Sequence, residues 1–348
     1  MISSKVINIG GEFEFDNNLR SVKKNSFSNE NGTLFINGRS ALLEIINELI
    51  KKNIYKIYIP IFNCNSILST IKIAGIEFEY YGFETNPEKK LFLPNNTAII
   101  INHYFGWYNN QVDKIEKAGE NCYIIEDATH TFLNTNFNFD NKKNYIFFSF
   151  RKHSPISCGG WANIKTKKRT YLEKYDELLT SILKLRTNKY NAIINEEYIQ
   201  QENFFISEFK KYESLISNIY TNAYIPIFIE DNLSKYKWNE ISQIRRNNWK
   251  YLDDLIGSKV NKVYNILKSD TVPLGYIIRL KNRNYIRREL IKKRIFTSIH
   301  WPLTINIDNK EFLYEKKLSK EILTIPIDQR YNFNNMQNIA KAVVDLIN

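Results

Sequence analysis

The stretch NCYIIED at positions 121–127, followed by YIFFSF at 145–150 and RKHSPISCGG at 151–160, decides the fold. CYII is a short apolar run between polar residues, the pattern of a strand covered on both faces, and it closes on Glu126 and Asp127. YIFFSF repeats the pattern and closes on Ser149, Arg151 and Lys152. Upstream, TAIIINHYFG at 97–106 predicts a strand ending in His103 and Tyr104, and VDKIEKAG at 112–119 predicts a helix leading to the next one. Further back stand a strand at IEFEYYGF (76–83), a helix at ILSTIKIAG (67–75) closed by Gly75, and a short β-rich run at KIYIPIF (56–62). ALLEIINELIKK (41–52) has apolar residues at helical spacing behind the turn Asn37-Gly38. Strands alternating with helices up to Thr166 imply an α/β fold, a mostly parallel sheet flanked by helices on both faces.

Past Thr166 the character changes. Residues 167–223 are polar and helix-like, and YIPIFI (224–229) carries the next strand signal. Then follow a helix at 239–256, a strand at PLGYIIRL (273–280), a helix at 284–294, a strand at FTSIHWP (296–302) and a final helix at 335–348. This predicts a large α/β domain over residues 1–230 and a smaller C-terminal α+β domain over 231–348.

With 43% hydrophobic and 25% charged residues the 348-residue chain is ordinary globular material, which excludes wholesale disorder, and 12 Gly excludes a glycine-rich fibre. The net charge of +12 is spread along the chain, and its densest cluster, Arg279 to Arg294, holds Ile286, Leu290 and Ile291 at helical spacing. That reads as a solvated helix face rather than a nucleic-acid surface, and an anionic small substrate suits the same charge. Arg245-Arg246 likewise read as solvated, or as part of a subunit contact. Cys64, Cys122 and Cys158 form no CxxC pair, a reducing-compartment pattern. The first 20 residues hold no apolar signal region, and no run is long enough to span a bilayer, so a soluble cytoplasmic protein with no membrane partner is expected. The histidines His103, His130, His153 and His300 lack HxxxH or HxH spacing, so no metal is expected.

In an open parallel sheet ligands bind beyond the carboxyl ends of the strands. Here those ends carry His103 and Tyr104, Glu126 and Asp127, and Ser149, Arg151 and Lys152. The Asn-Gly-Arg-Ser turn at 37–40 opens a helix whose free N–H groups favour a phosphate. An acid, a lysine and a phosphate cradle at one sheet edge are the parts needed to hold pyridoxal 5′-phosphate (PLP). Polar strand ends occur in any α/β protein, so this is one reading among several.

The order of the words adds to it. NGRSALLEII (37–46), IPIFNCNSILSTIKIAGIEFE (59–79), INHYFGW (101–107), IIEDATH (124–130), FFSFRKHSPISCGG (147–160) and IFTSIHWP (295–302) together resemble the DegT/DnrJ/StrS family of PLP-dependent sugar aminotransferases, which have the fold-type I architecture. The resemblance implies Lys152 as the Schiff-base lysine and proton shuttle, Asp127 as partner of the pyridine nitrogen, and His130 near the ring hydroxyl. It implies Ser149 and the N–H groups of Arg39 and Ser40 at the phosphate, with His103, Tyr104 and His300 on the substrate side. It further implies a homodimer, an amino-acid donor (L-glutamate or glutamine), a nucleotide-linked keto sugar as acceptor, and a place in surface-polysaccharide synthesis. His153 reads as a residue flanking the lysine.

Four features depart from the family pattern. Ser149 and Lys152 are only three apart, Cys158 stands where an acid usually precedes the Gly pair, Cys64 falls near the usual stacking aromatic, and no Gly-Tyr-Asn-x-Arg word occurs in 166–223. A PLP-dependent sugar dehydratase, a non-catalytic relative that binds cofactor or nucleotide sugar, and a nucleic-acid-binding protein are the alternatives.

Overall fold

The computed structural model describes residues 8–15, 20, 32–82, 91–135, 139, 143–166, 172–223, 225–303 and 312–347. Helix α1 (Gly38–Lys51) starts because the Asn37 side chain accepts from Ser40 N, and it buries Ala41, Leu42, Ile45, Ile46 and Leu49 at three- and four-residue spacing. Helix α2 (Asn65–Ala74) ends at Gly75, whose φ of 70° places it in the left-handed region that favours glycine.

Around these two helices the chain lays β1 (Ile9–Gly10), β2 (Thr33–Phe35), β3 (Lys56–Pro60), β4 (Glu77–Tyr81), β5 (Leu91–Leu93), β6 (Thr97–Asn102), β7 (Ile115–Lys117), β8 (Cys122–Asp127), β9 (Tyr145–Ser149) and β10 (Gly160–Ala162). Seven of them form one sheet in the order β2-β10-β9-β8-β6-β3-β4. Strands β4, β3, β6, β8 and β9 run parallel, and β10 pairs antiparallel with both β9 and β2. The mostly parallel α/β sheet is as expected. Alternation within β8 sends Cys122 and Ile124 to one core cluster and Ile125 to another, beneath α1 and α2.

The polar stretch after the sheet forms two long helices, α3 (Glu173–Ile194) and α4 (Tyr198–Ser217). Then come α5 (Ile227–Lys235), α6 (Trp238–Ile256), β11 (Asn261–Lys262), β12 (Tyr276–Arg279), α7 (Arg283–Lys292), β13 (Ile295–Phe296), α8 (Leu313–Glu321), β14 (Ile322–Ile325) and α9 (Phe333–Ile347). Strands β11, β12 and β14 form a small antiparallel sheet, and β1 pairs with β13. Ile9, Phe62, Tyr104, Phe105 and Trp107 share one core cluster with α6, α9 and β14, so the early chain packs directly on the late chain. Among the described residues no helix is long and apolar enough to cross a membrane.

Three expectations change. The segment 112–119 is a 3-10 turn (Asn110–Lys114) followed by β7, which pairs with β5; so short a helix has a costly nucleus, and strand pairing satisfies the backbone instead. YIPIFI starts a helix, not a strand: Pro226 sits at the N-cap of α5 and Ile229 and Leu233 are buried one turn apart. Ile227, within the expected strand, is 84% exposed. Tyr224 lies outside the described residues. Of FTSIHWP only Phe296 belongs to a strand, β13, with Ser298 bridging Thr324.

Candidate active site

A cavity of about 370 Å³ opens where β6, β8 and β9 end, and Arg39, His103, Asp127, His130, Ser149, Lys152 and His300 all line it. Lys152 stands exposed in the 3-10 turn that follows β9. Its charge acts on Asp127, His130, His300, Glu12 and Glu213, so it lies at the electrostatic centre of the cavity.

Asp127 is the last residue of β8, and alternation separates it from Glu126. Its Oδ1 accepts from Thr129 N at 2.9 Å. Burial raises its pKa, opposed by the Thr129 hydrogen bonds, His103 and Lys152. Glu126 points the other way and meets His103 Nε2 at 2.9 Å, with Asn144 Nδ2 donating to its other oxygen at 2.8 Å.

His130 accepts at Nδ1 from Phe105 N at 3.2 Å, which leaves Nε2 as the N–H side of a neutral ring. Burial, then the nearby His300 and Lys152, holds its pKa well below the usual histidine range. Trp301 stacks on it, with ring centroids 5.4 Å apart. His300 meets Thr324 Oγ1 at 2.9 Å through Nδ1, and burial with Lys152 pushes its pKa down to about 3. Both rings are therefore neutral at physiological pH.

The start of α1 faces Ser149. The first helical hydrogen bond runs from Ala41 N to Asn37 O at 3.2 Å, so the N–H groups of Gly38 and Arg39 precede it and have no partner within the helix. A Cβ on Gly160 would stand 2.4 Å from Asn37 C and O and 2.7 Å from Gly38 N; only glycine lets the turn come so close to β10. A Cβ on Gly38 would stand 3.3 Å from Ser149 Cβ. The turn, the Ser149 hydroxyl and the helix dipole form a pocket suited to a phosphate.

Two expected residues do not join it. Ser40 gives its N–H to the Asn37 cap at 2.8 Å, and its hydroxyl accepts from Thr221 N at 3.2 Å, so Gly38 and Arg39 are the candidates of this turn for a phosphate. Tyr104 is 4% exposed and donates its hydroxyl to Phe62 O at 2.7 Å, turned into the core rather than toward substrate. His103 reaches the cavity, yet both ring nitrogens are engaged: Nδ1 accepts from Asn109 N at 3.0 Å and Nε2 meets Glu126. It supports the wall and is not a free donor for substrate. His153 is fully buried with its ring edge-on to Phe132, away from the cavity. Cys64 caps α2 and lines the cavity where an aromatic was expected, while Cys158 is buried.

The opposite wall is charged and comes from distant segments. Arg186 of α3 donates to Glu12 at 3.0 Å and Arg151 pairs with Glu213 of α4. Burial would raise the pKa of Glu12, but Arg186 and Arg151 outweigh it and hold the carboxyl below its usual range. Arg245, expected to be solvated, is 1% exposed; its Nε donates to Gln329 at 3.0 Å and its Nη1 to Leu274 O at 3.0 Å. Asn102, at the end of β6, also lines the cavity and was not singled out. Its signal was a polar residue closing an otherwise apolar strand. Arg186 and Glu12 gave none, because nothing local marks a pair so far apart in sequence.

No protein-family model and no curated protein sequence matches the chain. Among solved structures it is similar to Spr1654 of Streptococcus pneumoniae, described as a sugar aminotransferase, in its PLP form: TM-score 0.62, 14% identity, covering 98% of this chain and 100% of that one. It is similar to PseC of Helicobacter pylori, an aminotransferase involved in pseudoaminic acid biosynthesis, at TM-score 0.58 and 14% identity over 91% and 86% of the two chains. It is also similar to a DegT DnrJ EryC1 StrS aminotransferase from Brucella abortus, at TM-score 0.56 and 14% identity over 90% and 85%. The chain has the fold of these aminotransferases, along nearly its whole length.

Proposed function

We propose that this protein is a PLP-dependent aminotransferase of the DegT/DnrJ/StrS type, moving an amino group from an amino acid to a keto sugar carried on a nucleotide. One observation carries the reading. Asp127, His130, Ser149, Lys152 and the open start of α1 face a single cavity, on a fold that a PLP-form sugar aminotransferase shares.

The residues fit the cofactor. The Gly38 and Arg39 N–H groups and the Ser149 hydroxyl would take its phosphate, Asp127 its ring nitrogen, the His130 Nε2–H its ring hydroxyl, and Lys152 its aldehyde. Bound there, PLP supplies an electron-accepting ring. Asp127 keeps the proton on the ring nitrogen in place by offering a carboxylate. His130, held neutral, donates without adding a positive charge. Lys152 is the base that takes the α-proton of the donor, in a cavity where His130 and His300 are too acidic as cations to compete. The excess of 49 basic over 37 acidic residues suits an anionic nucleotide diphosphate. A homodimer, a cytoplasmic location and a role in surface-polysaccharide synthesis complete the proposal.

The test has two steps. Borohydride reduction of the PLP-loaded protein should fix the pyridoxyl group on Lys152 by peptide mapping; label on Lys143 or Lys165 instead, or on no lysine, refutes the assignment. L-Glutamate or L-glutamine alone should then convert the bound PLP absorbance to that of pyridoxamine phosphate, and a keto sugar nucleotide should reverse it. PLP fixed to Lys152 with no response to either donor would count against transamination with these donors and favour a silent binder.

A further inference from the structure

Asn102 closes β6 in register with Asp127 of β8. Partners in a parallel pair leave the same face of the sheet, and both residues line the cavity. Asn102 is 3% exposed, and neither its Nδ2 nor its Oδ1 has a hydrogen-bond partner. A buried amide with both ends unserved is costly and calls for a partner such as an ordered water. The rest of β6 shows the alternative, since Ala98, Ile99, Ile100 and Ile101 fill the strand with apolar side chains.

Beside it, Asp127 draws its hydrogen bonds from Thr129. A carboxylate has about four lone-pair sites, so some remain open. His103 from the end of β6 and Lys152 from the turn after β9 act on its charge, and Cys64, His130 and His300 line the same cavity.

We infer that Asn102 is a positioning residue for Asp127: its Nδ2–H, through one trapped water, aims the carboxylate and keeps it ionised where it meets the ring nitrogen. The inference rests on the PLP reading above. An amide does not titrate, so this support is constant with pH. Asn102 acts through Asp127 and does not take part in the proton transfers itself.

The experiment measures the PLP dissociation constant of the full chain between pH 5 and 8, for wild type and Asn102→Leu, and the melting temperature of each without PLP. Losing a donor to the charged form raises the pKa of a carboxylate, so binding should fail at a higher pH as the solution is acidified. The variant should be nearly level with wild type at pH 8 and fall behind it on acidification, by up to about tenfold for a shift of about one unit. The ligand-free variant should still melt in one cooperative transition, which establishes that it is folded. In an Asp127→Asn background Asn102→Leu should shift nothing. Coincident limbs, an equal loss at every pH, or a limb that Asn102→Leu still shifts in the Asp127→Asn background each overturn the inference while leaving PLP binding intact. A wild-type protein that takes up no PLP overturns the cofactor reading and this inference with it.

Discussion

Gly160→Ala tests the phosphate pocket through the backbone alone. The new Cβ would stand 2.4 Å from Asn37 C and O and 2.7 Å from Gly38 N, where ordinary contacts begin at 3.4 Å. The opposing atoms are backbone, so about 1 Å of displacement must be absorbed by the Asn37-Gly38 turn or by β10, at about 1–3 kcal/mol for an overpacked site. The same movement turns the Gly38 and Arg39 N–H groups away from Ser149. Affinity for PLP should drop at least about tenfold, while affinity for pyridoxal, which lacks the phosphate, should change little. Both constants can be read by titration of tryptophan fluorescence, with a melting curve to establish that the variant is folded. Gly82→Ala is the control, since its Cβ would meet only the side chains of Glu315 and Phe312, at 3.1–3.4 Å. A folded Gly160→Ala protein that binds PLP as wild type does, or one that loses pyridoxal equally, refutes the placement of the phosphate.

Acidification should destabilise the ligand-free protein. His130 and His153 are held well below the usual histidine range by burial and His300 is held at about 3, so below pH 6.5 the unfolded chain takes up protons that the folded chain refuses. Urea midpoints should be level between pH 7 and 8 and fall from pH 6.5 downward. Glu14, lowered to about 2 by Arg330 and Lys189 against its burial, adds a loss of the same sign below pH 4.5, and the raised Asp127 opposes it weakly. A curve that stays level down to pH 5 contradicts the assignment. Arg245→Met, which leaves Gln329 Oε1 and Leu274 O without their donor in the core, should lower stability by about 1–3 kcal/mol by urea denaturation; a loss below about 0.5 kcal/mol, the size usual for surface sites, would restore the solvated reading.

The sheet and its chemistry were legible because both are local. A strand covered on two faces must be apolar along its length, so CYII and YIFF mark β8 and β9, and the polar residues that stop such runs stand at the carboxyl ends where ligands bind. Helix α1 announced itself by period and cap, as α6, α7 and α9 did by period. Tertiary structure alone decided the rest. It made a strand of Ile115–Lys117 by offering β5 as a partner, and a helix after Pro226 by burying Ile229 and Leu233. It selected among the polar strand ends: Asp127 faces the cavity while Glu126 locks His103, Tyr104 turns to Phe62, and Ser40 gives its N–H to Asn37. It also sank Arg245 against Gln329 and joined Arg186 to Glu12, residues 174 positions apart. Periodicity reports which face of an element is buried, but the partner of a buried polar group is supplied by whichever distant segment packs there, and no local pattern encodes it.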